Sequence, residues 1–126
     1  MAAIAEISIE LATGPEILTG STRMKAGTAT KLVLNMISTA VMIRAGAVYG
    51  NLMVNVQATN AKLVDRAQRI IASATGCSQP EAAHLLKTAG SVKTAIAMQL
   101  LGVDRPQAEA VLARHAGRLA DALHEV

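Results

Sequence analysis

From Leu32 to Ile43 the chain runs without a single charge, interrupted only by Asn35, Ser38 and Thr39. No glycine or proline breaks it, and its spacing predicts a helix over about Lys25–Arg44. That helix is apolar nearly all round, the character of one packed on several sides. The uncharged run is too short to cross a bilayer and suits a buried core helix. No basic region precedes the apolar N-terminal stretch, and Glu6 and Glu10 interrupt it, so no signal peptide is read there. The expectation is a soluble, cytoplasmic protein with no membrane partner.

Residues 4–11 carry the opposite signal. Ala5, Ile7, Ile9 and Leu11 alternate with Glu6, Ser8 and Glu10, the period of a strand. No second such segment exists, and a lone strand leaves its own N–H and C=O groups unpaired. The pattern therefore predicts pairing with a copy of itself, with another chain or with a missing part of its own protein, and hence association.

Beyond the first helix, Gly46 and Gly50 bracket a turn at Ala45–Asn51. A second long helix is predicted from about Val54 to Thr75, with Val56, Leu63, Val64, Ala67, Ile70, Ile71 and Ala74 on one stripe. Gly76 is placed to stop it. From Ser78 the punctuation becomes dense. Ser78-Gln79-Pro80-Glu81 and Asp104-Arg105-Pro106-Gln107 are capping boxes, Ser91 can cap a helix between them, and Gly90, Gly102 and Gly117 mark stops. These signals predict a small three-helix bundle from about residue 77, with a last turn or two through Leu119 and Leu123.

Composition supports helix over sheet. Phe and Trp are absent and Tyr49 is the one aromatic, so a core must come from Leu, Ile, Val, Ala and Met. Met24, Met36, Met42, Met53 and Met98 read as core filler. A single cysteine, Cys77, excludes an internal disulfide and a cysteine-based zinc site. His84, His115 and His124 show no ligand spacing, so neither metal nor cofactor is predicted. Net charge is +3, with basic and acidic residues interspersed along the chain. Lys87, Lys93, Arg105, Arg114 and Arg118 would charge a helix-turn-helix mimic, but no helix shows a one-sided basic face. A nucleic-acid partner is therefore not expected.

The chemistry-bearing stretch is Gly14–Lys31, a Gly/Ser/Thr loop running into a helix N-terminus. Such a terminus offers unpaired N–H groups and partial positive charge to an anion. Ser21 and Thr22 add hydroxyls, Arg23 and Lys25 add charge, and Gly20 and Gly27 permit close approach. The same residues equally describe an ordinary N-cap with solvated cations. The loop is not a Walker A sequence, since no Gly-Lys-Ser/Thr stands at the required spacing. Asn51, Gln57 and Asn60 fall where the two long helices would meet, suited to interhelical hydrogen bonds or to orienting a substrate.

Read as one string, Gly14-Pro15-Glu16-Ile17-Leu18-Thr19-Gly20-Ser21-Thr22-Arg23-Met24-Lys25-Ala26-Gly27-Thr28-Ala29-Thr30-Lys31-Leu32 resembles the signature shared by bacterial N-acetylmuramic acid 6-phosphate etherases and the glucokinase regulatory protein. The likeness continues through Leu34–Thr39, Val48–Val54 and Gln57–Asn60, and more weakly to the C-terminus. It implies a mainly α chain from the C-terminal part of that family. Residues 1–76 would supply a strand and two long helices of an α/β sugar isomerase (SIS) fold, and residues 77–126 a small bundle of ubiquitin-associated (UBA) type. It further implies a phosphosugar ligand bordered by Gly20, Ser21, Thr22, Arg23 and Lys25, and a homodimer. The implied reaction cleaves a D-lactyl ether by elimination and water addition, using a glutamate acid and a glutamate base. Both glutamates belong to the family's N-terminal half. None of Glu6, Glu10 or Glu16 matches either, so no catalytic residue is assigned here and activity of the isolated chain is not expected. A non-catalytic phosphosugar sensor is the alternative from a different class.

Overall fold

The computed structural model describes residues 4–124; residues 1–3 and 125–126, the outer ends of the two expected domains, lie outside the described residues. Internal contacts gather into two units, the first ending at Val41 and the second beginning at Met42.

The first unit is an extended segment followed by α1, Lys25–Arg44, whose final turn falls beyond the unit's edge. The helix has the predicted bounds, but none of its residues is buried. Leu32, Leu34, Met36, Ile37 and Val41 are all exposed, against the expectation of a core helix. At twenty residues it is also long and apolar enough to cross a membrane, a test the core helix of a soluble protein passes as well. The shorter estimate counted only the uncharged run, whereas the helix extends through Lys25, Lys31 and Arg44. Residues 4–11 form no strand, correcting the alternating pattern. Period two places apolar side chains on one face, but a ladder also needs a neighbour's N–H and C=O groups. Ile7, Ile9 and Leu11 stay exposed.

The second unit carries the core. After α1, Gly46 turns the chain at φ +73° and a short hairpin follows. Its strands β1, Val48–Tyr49, and β2, Leu52–Met53, pair antiparallel as Val48↔Met53 and Tyr49↔Leu52. The Val54 N–H donates to the Ala47 carbonyl at 2.9 Å, extending the pairing one step. This explains why the second long helix does not begin at Val54. Helix α2 spans Ala61–Thr75, and Asn60, in extended backbone, accepts the Leu63 N–H at 3.0 Å. Val54, Asn55, Val56 and Thr59 are poor helix formers, and Asn60 is a strong N-cap. Asn51, Gln57 and Asn60 are exposed, so Asn60 serves as that cap rather than as a buried interhelical bond.

Four helices follow: α3, Gln79–Ala89; α4, Val92–Leu101; α5, Arg105–Arg114; and α6, Leu119–His124. Both capping boxes form as read, Ser91 caps α4, and Gly76, Gly90 and Gly102 end their helices in left-handed backbone. Helix α4 is central, packing against α2, α3, α5 and α6. Its Val92, Ala95, Ile96 and Ala97 are buried with Ile71 and Leu119. Of the methionines read as core filler, Met24, Met36, Met42 and Met53 are exposed, while Met98 lies partly buried against the core.

One contact is unusually close. A Cβ built on Gly46 would sit 2.8 Å from Arg118 Cγ and 3.0 Å from its Cα, so the two backbones nearly touch. Gly76 has the same left-handed φ but open space around it. Gly76→Ala should therefore cost about 1–2 kcal/mol, the left-handed penalty alone, and Gly46→Ala distinctly more, measured by urea unfolding. Equal losses would show that the Arg118 contact yields. The Ser78 backbone N–H and hydroxyl, both donating to the Glu81 carboxylate, hold its pKa below the ordinary 4.5. A depressed carboxylate stabilises above its unfolded pKa and loses that contribution as pH falls through the folded value. Wild type should thus lose stability relative to Glu81→Gln below about pH 4.5, as followed by thermal melts across pH.

Candidate functional site

A helix that begins at Lys25 presents its first amides to whatever precedes it, and those groups need acceptors. The Met24 side chain carries no oxygen acceptor, and the first turn of α1 contains no acid. The acceptor comes from nine residues upstream. The Lys25 N–H donates to Glu16 Oε1 at 3.2 Å and Oε2 at 3.1 Å, and the Ala26 N–H donates to Oε1 at 3.1 Å. The Gly27 N–H donates to the Thr22 carbonyl at 2.8 Å. Three successive amides are thereby satisfied from within the chain.

The residues singled out in the sequence separate in space. Gly20 takes φ +85° beside a turn in which the Ser21 N–H donates to the Leu18 carbonyl at 3.0 Å. Ser21 is half-buried, whereas Thr22, Arg23 and Lys25 are exposed. The Lys25 ammonium turns back and donates to the Pro15 carbonyl at 2.8 Å. Gly27 permits a close approach by the chain's own loop. A Cβ there would lie 3.1 Å from the Thr22 carbonyl oxygen, so its bare face admits the chain's own carbonyl.

An open groove of about 450 Å³ runs beside this loop, lined by Thr22, Ala26, Gly27, Thr30, Lys31, Leu34 and Asn35. Of the predicted binding residues only Thr22 reaches it. Thr30, Lys31 and Asn35 were not singled out, although their spacing of four and five residues puts them on neighbouring turns. Thr30 Oγ1 donates to the Ala26 carbonyl at 2.9 Å, leaving the Lys31 ammonium as the charge beside the groove. Among the described residues no group of three or more His, Cys, Asp or Glu could hold a metal ion.

In the second unit a cleft of about 370 Å³ lies between the 54–59 segment and the start of α4, with Gln57, Ser91 and Lys93 among its lining. The Lys93 ammonium donates to the Gly117 carbonyl at 2.9 Å, and partial burial lowers its pKa. That cation supports the turn before α6.

The loop and helix entry match proteins of known name. The N-acetylmuramic acid 6-phosphate etherase of Aliivibrio fischeri (strain MJ11) is 53% identical over 126 residues, covering 99% of this chain and 42% of its own length. The protein of that name from Yersinia pestis (strain Pestoides F) is 58% identical over 120 residues, covering 94% of this chain and 41% of its own. One from Yersinia pseudotuberculosis (serotype O:1b, strain IP 31758) matches to the same extent. Over nearly its whole length the chain is similar to proteins named N-acetylmuramic acid 6-phosphate etherase. It spans about two fifths of the length of these curated relatives. No family model matches it.

Gly27 offers a direct test of the helix entry. Alanine is the better helix former by about 1 kcal/mol, yet its Cβ would press on the Thr22 carbonyl. Gly27→Ala should give no net gain in helix stability and should speed hydrogen exchange at the residue 27 amide. A stabilised helix with unchanged exchange would show that the Thr22 carbonyl moves freely.

Proposed function

We propose that this chain is the C-terminal portion of a lyase that cleaves the D-lactyl ether of N-acetylmuramic acid 6-phosphate to N-acetylglucosamine 6-phosphate and D-lactate, in the cytoplasm. What carries the reading is the identity of 53–58% along nearly the whole chain with relatives bearing that name. In this reading residues 1–76 complete an SIS fold, residues 77–126 form the UBA-like bundle, and the working protein is a homodimer. The acid and base come from the portion of the protein beyond these residues.

The exposed apolar surface of α1 supports the same reading. Leu32, Leu34, Met36, Ile37, Val41, Met42 and Ile43 are uncovered. Burying such a side chain stabilises by about 1.5–3 kcal/mol, so a helix of this kind gains most of its stability from a covering partner. The remaining three fifths of a full-length relative is the natural cover. The chain's part in the pocket is then one wall, presented by Ser21, Thr22 and Arg23.

The full-length protein, given N-acetylmuramic acid 6-phosphate, should release D-lactate, and the 126-residue chain alone should release none. Amide shifts of the chain titrated with N-acetylglucosamine 6-phosphate should move between Gly20 and Gly27. Absence of lactate release by the full-length protein would refute the assignment.

A further inference from the structure

We infer that Glu16 is the positioning residue of the loop Ile17–Met24, closing it at its base and fixing where Ser21, Thr22 and Arg23 are presented; the ligand side of this inference rests on the phosphosugar reading above. The base is tied in both directions. The Glu16 carboxylate accepts the Lys25 and Ala26 amides, and the Lys25 ammonium returns to the carbonyl of Pro15. A side chain from each end thus grips the backbone of the other. Pro15 has a fixed φ, so the segment entering the loop holds its direction. Inside the loop the Leu18–Ser21 turn and left-handed Gly20 set the path, and the Thr22 carbonyl docks on the Gly27 amide. Loops of this size with joined ends hold their shape through their own contacts.

The clasp also decides where an anion can be received. Acidic groups and phosphates seek the same free amides at a helix N-terminus. Here Glu16 already fills that position at Lys25 and Ala26, and the Lys25 charge is turned to Pro15. On the phosphosugar reading, the predicted groups left for a phosphate at this wall are the hydroxyls of Ser21 and Thr22 and the guanidinium of Arg23. Glu16 therefore acts through the loop and does not touch the ligand.

The test compares Glu16→Ala and Glu16→Gln with wild type, in the 126-residue chain and in the full-length protein. In the chain, Glu16→Ala should speed hydrogen exchange at the Lys25 and Ala26 amides about tenfold, the effect of one lost charge-assisted hydrogen bond, and shift the amides of residues 17–24. Glu16→Gln keeps one acceptor oxygen and should restore part of the protection. In the full-length protein Glu16→Ala should raise KM for the phosphosugar about tenfold, by the same measure, with little change in kcat, and Glu16→Gln should fall between. Unchanged exchange in Glu16→Ala would overturn the clasp. A fall in kcat at constant KM, or tighter phosphosugar binding by Glu16→Ala, would overturn the positioning role. If wild type neither binds nor turns over the sugar, the phosphosugar reading fails by itself, and exchange in the chain still decides whether Glu16 closes the loop.

Discussion

Close approach between small side chains is the constraint on which the folded core depends. With no Phe or Trp in the chain, bulk is not available to fill space between distant helices. Helix α4 is instead sealed on several sides by alanines: Ala67, Ala82, Ala89, Ala95, Ala97, Ala108 and Ala122 are all at most 1% exposed. Interiors pack to nearly crystalline density, so small residues must be matched by short distances between backbones. Gly46 against Arg118 is the extreme case, where even one methyl group would collide. Ser91 and Thr94 share a hydrogen bond of 2.8 Å at the start of α4, which satisfies the one buried polar residue among those described.

The first unit is built on another balance. Its apolar side chains on α1 and in residues 4–11 face outward, so hydrophobic burial contributes little to it as it stands. What order it has comes from local polar bonds: the Glu16 and Lys25 links, the Thr22–Gly27 bond and the Leu18–Ser21 turn. Exposed bonds of this kind are individually modest. They are sufficient to shape a loop of a few residues but do not cover a long apolar helix. Exposed apolar surface of this kind is the character of protein or membrane contacts and of ligand grooves.

Local punctuation was the most legible part of the sequence. Ser78–Glu81 and Asp104–Gln107 announced two helix starts, and Gly76, Gly90 and Gly102 announced three ends, because caps are decided by residues within four positions of each other. The strand over residues 4–11 failed for the complementary reason. Its pattern specifies two faces but supplies no neighbour. The start of α2 was misplaced because the Ala47–Val54 bond, which holds Val54 in the hairpin, was not visible in the run of apolar residues that follows. Within the candidate site the sequence located the loop but not its closure. Glu16 lies nine and ten residues before the two amides it caps, beyond the reach of any capping rule.

The sequence by itself determined that the chain is mainly helical, where most helices begin and end, and which named proteins it resembles. Each of these rests on short-range hydrogen bonding or on a string of residues that can be read in order. Only the tertiary structure decided which apolar residues are covered, that α4 occupies the centre, and that the amides opening α1 are taken by Glu16. Those outcomes depend on distances between segments far apart in the chain, and a pattern of residue types carries no information about distance until the backbone has turned.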